Sequence, residues 1–293
     1  MKGVLFIFVC CFVLNVLGDD VINGRVENRN EGYVCAGNGY YYCGTQKGTV
    51  IPHGWHISGE MSGLWMQPIK LLKDISFQVD FSTKEGLFSF LNGDAKVFKQ
   101  FPWGNEFEYM NNGCILYRRE YVIDEIGFVM ELHGKGHDLE YFDVLWNIPI
   151  HLRGTWLSEL VDDIDECYWN DVNSLFSCRD KSNDRFVSIK TMNDDFIEKS
   201  IYNNRISFKE RYLSSSFIFI SGSIISEQDA IEKALFLFEN SNELLEQKKR
   251  IFNDIKYQSN IDIPDENIQT MYTWSKYNVK WLMNSIDNIG NGL

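Results

Sequence analysis

Residues 75–81 read Ile75-Ser76-Phe77-Gln78-Val79-Asp80-Phe81. Apolar side chains fall on every second position, the period of a strand with one buried face. Similar short runs lie on both sides of it. Upstream, Gly39-Tyr40-Tyr41-Tyr42-Cys43-Gly44 is strand-like, Gln46-Lys47-Gly48 is a turn, and Ile69 to Leu72 is a further strand. Downstream, Gly86 to Leu91 closes at Asn92-Gly93-Asp94, a hairpin signal. Ile115 to Ile123 and Gly127 to His133 follow, and Gly134-Lys135-Gly136 reads as a hairpin turn that returns the chain through Asp138 to Ile148. Arg185 to Thr191 and Ser216 to Ile220 complete the set. Many short strands joined by glycine turns predict a mainly β fold: a large antiparallel two-sheet sandwich, longer than a simple immunoglobulin-like domain.

After Ser223 the pattern changes to a helical period. Ser226-Glu227-Gln228-Asp229 can cap a helix, with an acid three places after the serine. Ile231, Leu235, Phe238, Leu245, Phe252 and Ile255 share a face, and Asn240-Ser241-Asn242 is a break signal inside it. Ile261-Asp262-Ile263-Pro264-Asp265 is an extended link that starts a second helix, expected over Asp265 to Ile289. Its apolar stripe is Ile268, Tyr272, Val279, Leu282 and Ile286, and Gly290 stands where a C-terminal cap would. One helix is therefore expected to pack back on the sandwich, and the second to carry an apolar face seeking a partner.

Composition narrows the function classes. Aromatic residues make up 15 % of the chain, which fills cores first and also suits sugar stacking where rings are exposed. A net charge of −13 argues against nucleic acid and anionic membrane surfaces, since both need a basic patch. Met1 to Gly18 reads as a secretory signal: Lys2, then an apolar run from Val4 to Leu17, then small residues before a cut between Gly18 and Asp19. That places the chain in a secreted or periplasmic setting, with no membrane contact beyond the signal. Of seven cysteines, Cys10 and Cys11 belong to this leader. The spacing of the rest puts Cys35 with Cys43 and Cys167 with Cys178 within reach across hairpins, leaving Cys114 odd. The chain contains no Asn-x-Ser/Thr glycosylation acceptor.

The segment from His53 to Trp65, His-Gly-Trp-His-Ile-Ser-Gly-Glu-Met-Ser-Gly-Leu-Trp, concentrates glycine, aromatic and polar groups. Rings can stack on the apolar face of a sugar while His, Glu and backbone groups bond its hydroxyls, which makes His53, Trp55, His56, Glu60 and Trp65 candidate carbohydrate contacts. The competing expectation is a structural loop in which Trp55 and Trp65 plug the sandwich. Paired carboxylates with room for a water between them are what an inverting glycosidase requires. Glu60, Glu106, Glu108, Glu131 and the cluster Asp162-Asp163-Ile164-Asp165-Glu166 supply carboxylates, but the sequence does not say which face each other. The acidic cluster is expected to be a solvated loop, because its spacing lacks the full calcium-loop pattern. His133 and His137 straddle a turn instead of sharing a helix face, so zinc is not expected, and neither a metal nor any other cofactor is assigned. No Gly-x-Ser-x-Gly element and no phosphate-binding glycine loop is present.

These residues carry a family resemblance. Gly37-Asn38-Gly39-Tyr40-Tyr41, Gly44-Thr45 and Gly59-Glu60-Met61-Ser62-Gly63-Leu64-Trp65-Met66-Gln67-Pro68-Ile69-Lys70-Leu71 resemble the start of glycogen-debranching, amylo-α-1,6-glucosidase-like enzymes among the six-hairpin glycosidases. Pro264-Asp265 through Trp274-Ser275-Lys276 to Gly290-Asn291-Gly292 is similar to the opening of their helical toroid. The resemblance implies a β-supersandwich over 19–225, a linker helix over 226–260, and over 261–293 the first helix of an (α/α)6 barrel that is truncated here. In such enzymes the acid and base lie in the barrel, so no catalytic residue carries over to this chain. The implied function is the non-catalytic portion of a secreted enzyme that hydrolyses α-glucosidic bonds. Its partners would be an α-glucan or other oligosaccharide and a missing barrel in cis or in trans. The alternative is a stand-alone carbohydrate-binding or structural/adhesion sandwich.

Overall fold

A computed structural model describes residues 20–50, 52, 54, 57–154, 165–286 and 290–292. The leader over 1–18 lies outside them. The chain opens with β1 (Ile22–Asn23), β2 (Gly32–Gly37), β3 (Tyr40–Thr45), β4 (Gly63–Met66), β5 (Ile69–Leu72), β6 (Ser76–Thr83) and β7 (Gly86–Leu91). It continues through β8 (Val97–Phe101), β9 (Gly104–Asn111), β10 (Cys114–Ile123), β11 (Gly127–Lys135) and the long β12 (Leu139–Arg153). Then come β13 (Glu166–Asn170), β14 (Leu175–Arg179), β15 (Phe186–Thr191), β16 (Glu198–Tyr202), β17 (Arg205–Tyr212) and β18 (Ser215–Ser223). Helices α1 (Glu227–Tyr257) and α2 (Glu266–Leu282) follow, with a small ribbon of β19 (Asn284–Ile286) and β20 (Gly290–Gly292).

The strands form two antiparallel sheets. One runs β1-β8-β9-β10-β11-β18-β15-β14-β13. The other runs β16-β17-β12-β5-β4-β3-β2, with β6 paired along β12 and β7 along β6. The period-two patterns explain the layering. Phe77, Val79 and Phe81 of β6 and Phe142, Val144, Trp146 and Ile148 of β12 are buried, while their neighbours in sequence face out. These side chains meet Phe107, Leu116, Phe128, Met130, Ile189 and Ile220 of the facing sheet in one continuous core. The architecture is the expected mainly β sandwich followed by helices.

Two turns serve a different purpose from the one expected. Asn92-Gly93-Asp94 does not close a hairpin: β7 pairs with β6 in one sheet and β8 with β9 in the other. Asn92 instead links the layers, its Nδ2 donating to Ile75 O at 3.2 Å and its Oδ1 accepting from Arg118 at 3.0 Å. Likewise β11 runs on through Gly134 and Lys135, and the chain then crosses to β12 in the opposite sheet. A local turn signal fixes that the chain reverses, and the sheet it joins next is fixed by side chains far away in sequence.

The Ser226 side chain accepts from Asp229 N and starts α1, which runs unbroken through 240–242. Ser241 is buried and bonds the Tyr121 hydroxyl, and Asn240 Nδ2 donates to Phe236 O at 2.8 Å, so these polar groups are satisfied within a helix. Ala230 and Ala234 are fully buried, as are Ser177, Ser188 and Ser221 of the sheet that α1 covers. Lys248 anchors the helix from within, donating to Ala36 O at 3.1 Å and Val122 O at 2.6 Å. Burial pulls its ammonium down in pKa, and Asp124 opposes that shift.

Helix α2 begins at the Asp265 cap, which accepts from Asn267 N and Ile268 N. It stops at Leu282, short of the expected Ile289. Thr273, Trp274 and Tyr277 are buried on one side, and Trp281 Nε1 donates to Pro102 O at 3.0 Å. Lys276 Nζ donates to Lys256 O and Gln258 O, capping the last turn of α1. The expected stripe lies on the opposite side: Ile268, Val279 and Leu282 are 53 %, 49 % and 63 % exposed, and Met271 joins them.

Cys167 and Cys178 are bonded across the β13–β14 rung. The expected Cys35–Cys43 bridge is absent. In the β2–β3 register Cys35 lies opposite Tyr42, and Cys43 opposite Val34. That one-residue offset sends the two thiols to opposite faces of the sheet. Cys35 is in the core, and Cys43 lies on the outer face, where burial pushes its thiol up to about 12.

Candidate functional site

The outer face of the β2–β5 half of the second sheet holds what the structure describes of the His53–Trp65 segment. One rung crosses four strands: Tyr41 of β3 opposes Trp65 of β4, Trp65 opposes Lys70 of β5, and Lys70 opposes Arg153 of β12. Because side chains of one rung share a face, an aromatic pair and two cations lie side by side. The Tyr41 and Trp65 rings stack with centroids 5.8 Å apart and planes 11° apart. Lys70 Nζ lies 5.2 Å from the Trp65 ring and donates to Gly59 O at 2.7 Å. Arg153 Nη1 meets Asp165 Oδ1 at 2.7 Å and also donates to Leu152 O.

The segment before β4 covers this rung. Glu60 Oε2 accepts from Ile57 N at 3.2 Å, and Trp65 Nε1 donates to Ser62 O at 3.2 Å. The descent into β4 needs Gly63, whose φ is +86° and where a Cβ would stand 2.2 Å from Leu72 O. Glu60, Trp65, Lys70 and Arg153 are all buried, with Trp65 only 6 % exposed. One ring face of Trp65 is thus taken by Tyr41, and Trp65 and Glu60 brace the loop from behind. His53, Trp55 and His56 lie outside the described residues.

The acidic cluster is not uniformly solvated. Asp165 is buried against Arg153, and burial raises its carboxyl pKa against the pull of that guanidinium. Asp162 and Asp163 lie outside the described residues, and Glu166 is paired with Arg179 at 2.6 Å. The other candidate carboxylates lie on the outer face of the first sheet, away from the Trp65 rung. There Glu106 and Glu131 flank Arg119 at 2.9 and 3.2 Å, and Glu108 holds Lys99 at 3.0 Å. A guanidinium fills the gap between Glu106 and Glu131 where an inverting enzyme holds its water. Among the described residues no cluster of three or more His, Cys, Asp or Glu is placed to hold a metal. No described helix is long and apolar enough to cross a membrane.

The sequence does not mark Tyr41, Lys70 or Arg153 as site residues, and Tyr41 and Lys70 enter only within the stretches that carry the family resemblance. Lys70 sits among apolar residues in Met66–Leu72, and a lysine inside such a run is the signal that marks it.

No protein-family profile and no curated protein matches the chain. Among solved structures, the fold is similar to that of a bacterial glucoamylase complexed with acarbose, at 10 % identity and a TM-score of 0.54. The match covers 86 % of this chain and 40 % of that one. It is also similar to a putative kojibiose phosphorylase from human microbiome, at 9 % identity and a TM-score of 0.43, over 87 % of this chain and 37 % of that one. At 10 % identity the likeness to the glucoamylase is one of fold alone, and the matches cover less than half the length of either protein.

Proposed function

We propose that this chain is the N-terminal, non-catalytic β-sandwich portion of a secreted or periplasmic glycoside hydrolase resembling debranching α-glucosidases, and that it supports carbohydrate binding beside a helical catalytic domain held in cis or in trans. The observation that carries this is the fold likeness to the glucoamylase–acarbose complex over 86 % of the chain. The exposed apolar stripe of α2 supports a helical neighbour, since a helix that is apolar on both sides is normally covered on both. In this reading 19–225 is the sandwich, 226–260 the linker helix and 261–293 the start of the helical domain. The segment carrying His53, Trp55, His56, Glu60 and Trp65 borders the sugar.

A second reading has a specific observation in its favour. The burial of Glu60 and Trp65 suits a stand-alone carbohydrate-binding or structural/adhesion sandwich in which this loop is a plug. One experiment separates the proposal from the structural/adhesion form of this reading. The chain alone is expected to release no reducing ends from maltoheptaose above the buffer rate, while maltoheptaose shifts the amide resonances of residues 57–70. Sustained hydrolysis overturns the non-catalytic assignment. The absence of amide shifts anywhere favours the structural reading.

A further inference from the structure

The β16–β17 hairpin carries an open depression of about 470 Å³ lined by Ser200, Tyr202, Asn203, Arg205 and Ser207. It lies at an end of the second sheet, on strands separate from the Trp65 rung. Its shape follows from the strand period. Ile206 points into the core and Ile201 packs against it, so Ser200, Tyr202, Arg205 and Ser207 face outward. Asn203 and Asn204 both take left-handed backbone angles, with φ of 45° and 59°, closing a tight two-residue turn that fixes Tyr202 opposite Arg205.

The polar groups are pre-set. Ser207 lies in one rung with Ser200, Asn147 and Ser76. The Ser207 hydroxyl donates to Trp146 O at 3.3 Å, which leaves its oxygen lone pairs as acceptors, and the Ser200 hydroxyl lines the depression beside it. Arg205 Nη1 donates to Asn147 Oδ1 at 2.9 Å, which holds the guanidinium and leaves further N–H donors at the depression. Tyr202 is 74 % exposed. An exposed ring beside a fork of donors, an amide and two hydroxyls is the chemistry of a pyranose: a C–H face to stack and vicinal hydroxyls to bond. An anion fits less well, because Arg205 is the one cation in the lining and the Asp74 carboxylate lies near enough to interact with it.

We propose that this depression is a second, surface sugar site, taking one pyranose of a neutral oligosaccharide with Tyr202 as the stacking platform and Arg205 and Asn203 as hydroxyl ligands. The ligand class rests on the carbohydrate reading above, and the location rests on these residues alone. The test is a titration of the ¹⁵N-labelled full chain with maltoheptaose, cellohexaose and inorganic phosphate in turn. Saturable shifts of the 200–207 amides with an oligosaccharide are expected, weakened by about tenfold or more in Tyr202→Ala and Arg205→Gln. Both side chains are at the surface, and an unchanged thermal transition confirms that each variant folds. If either fails to fold, the other decides. No shift at 200–207 with either sugar, equal shifts in both folded variants, or shifts with phosphate alone would overturn the site. Shifts confined to residues 57–70 overturn this site and leave the proposed function standing. Shifts confined to 200–207 support this site and count against the Trp65 face.

Discussion

Replacing Arg118 by Met is expected to lower the stability of the folded chain by about 4 kcal/mol, the range found when one partner of a buried ion pair is removed. Arg118 and Glu120 are both wholly inaccessible and point into the sandwich from β10. Arg118 directs Nε and Nη2 at Glu120 Oε2, at 3.1 and 2.5 Å. Nη1 donates to Gly48 O at 2.7 Å and to Asn92 Oδ1 at 3.0 Å, and Nη2 also reaches the Tyr33 hydroxyl at 3.3 Å. Those five bonds match the five donors of a guanidinium, which also lies 4.6 Å from the Phe107 ring centroid. The Met variant leaves the Glu120 carboxylate buried without a cation, met by Asn105 Nδ2 at 3.2 Å and by the Tyr33 hydroxyl. Urea unfolding of Arg118→Met and of the double variant Arg118→Met/Glu120→Leu checks the cause. The double variant is expected to recover much of the loss, since an apolar pair of similar volume removes the stranded charge. A single-variant loss below about 1 kcal/mol contradicts the account, since that is the scale of an exposed pair.

The second large effect is one of pH. Glu210 is fully buried on the inner face of β17, accepting from the Tyr212 hydroxyl, and its surroundings include Thr191, Lys190 and Asp194 of the facing sheet and its loop. Burial pushes its carboxyl from the ordinary 4.5 up to about 7, against the opposing pull of the Tyr212 and Thr191 hydroxyls and the Lys190 charge. An acid raised on folding holds its proton more tightly in the folded state. Its contribution to stability is therefore undiminished below about pH 4.5, falls as pH rises to about 7, and is flat beyond. A difference of roughly 2.5 units corresponds to about 3 kcal/mol. Glu210→Gln mimics the protonated carboxyl, so the variant is expected to match the wild type near pH 4 and to exceed it by up to about 3 kcal/mol at pH 8. Urea unfolding of both proteins across that range gives the comparison. A stability difference that does not change with pH contradicts the assignment.

Neither group was visible as special in the sequence, for a physical reason. The run Ile115 to Ile123 reads as a strand, and its period places Arg118 inward and Arg119 outward. Period alone does not say that a charged position has a carboxylate two residues away to meet it in the core. The strands that were legible, such as β5 and β7, have a simple apolar signal. Strands β8, β9, β16 and β17 lack that signal, because charged and polar residues interrupt their patterns. The same limit explains Cys35 and Cys43, where closeness in sequence suggested a bridge that a one-residue register offset forbids. At the candidate site, Trp65 and Glu60 were legible as unusual residues. Their burial, and the Tyr41–Trp65–Lys70–Arg153 rung they belong to, depend on four strands being laid side by side.

In the function proposed above, this sandwich presents α2 to a helical partner. Its buried side, Trp274, Tyr277 and Trp281, is occupied by the rest of the fold, and Ile268, Met271, Val279 and Leu282 face outward at helical spacing. Exposed apolar surface of this kind drives association when its partner is missing. Sedimentation velocity on the isolated chain, from micromolar to sub-millimolar concentration, tests this most directly when paired with the Ile268→Glu/Val279→Glu variant. The wild type is predicted to self-associate with rising concentration, and the variant to remain monomeric with unchanged circular dichroism. A wild-type chain that stays monomeric throughout, with α2 amides as strongly protected from exchange as those of α1, would contradict the claim.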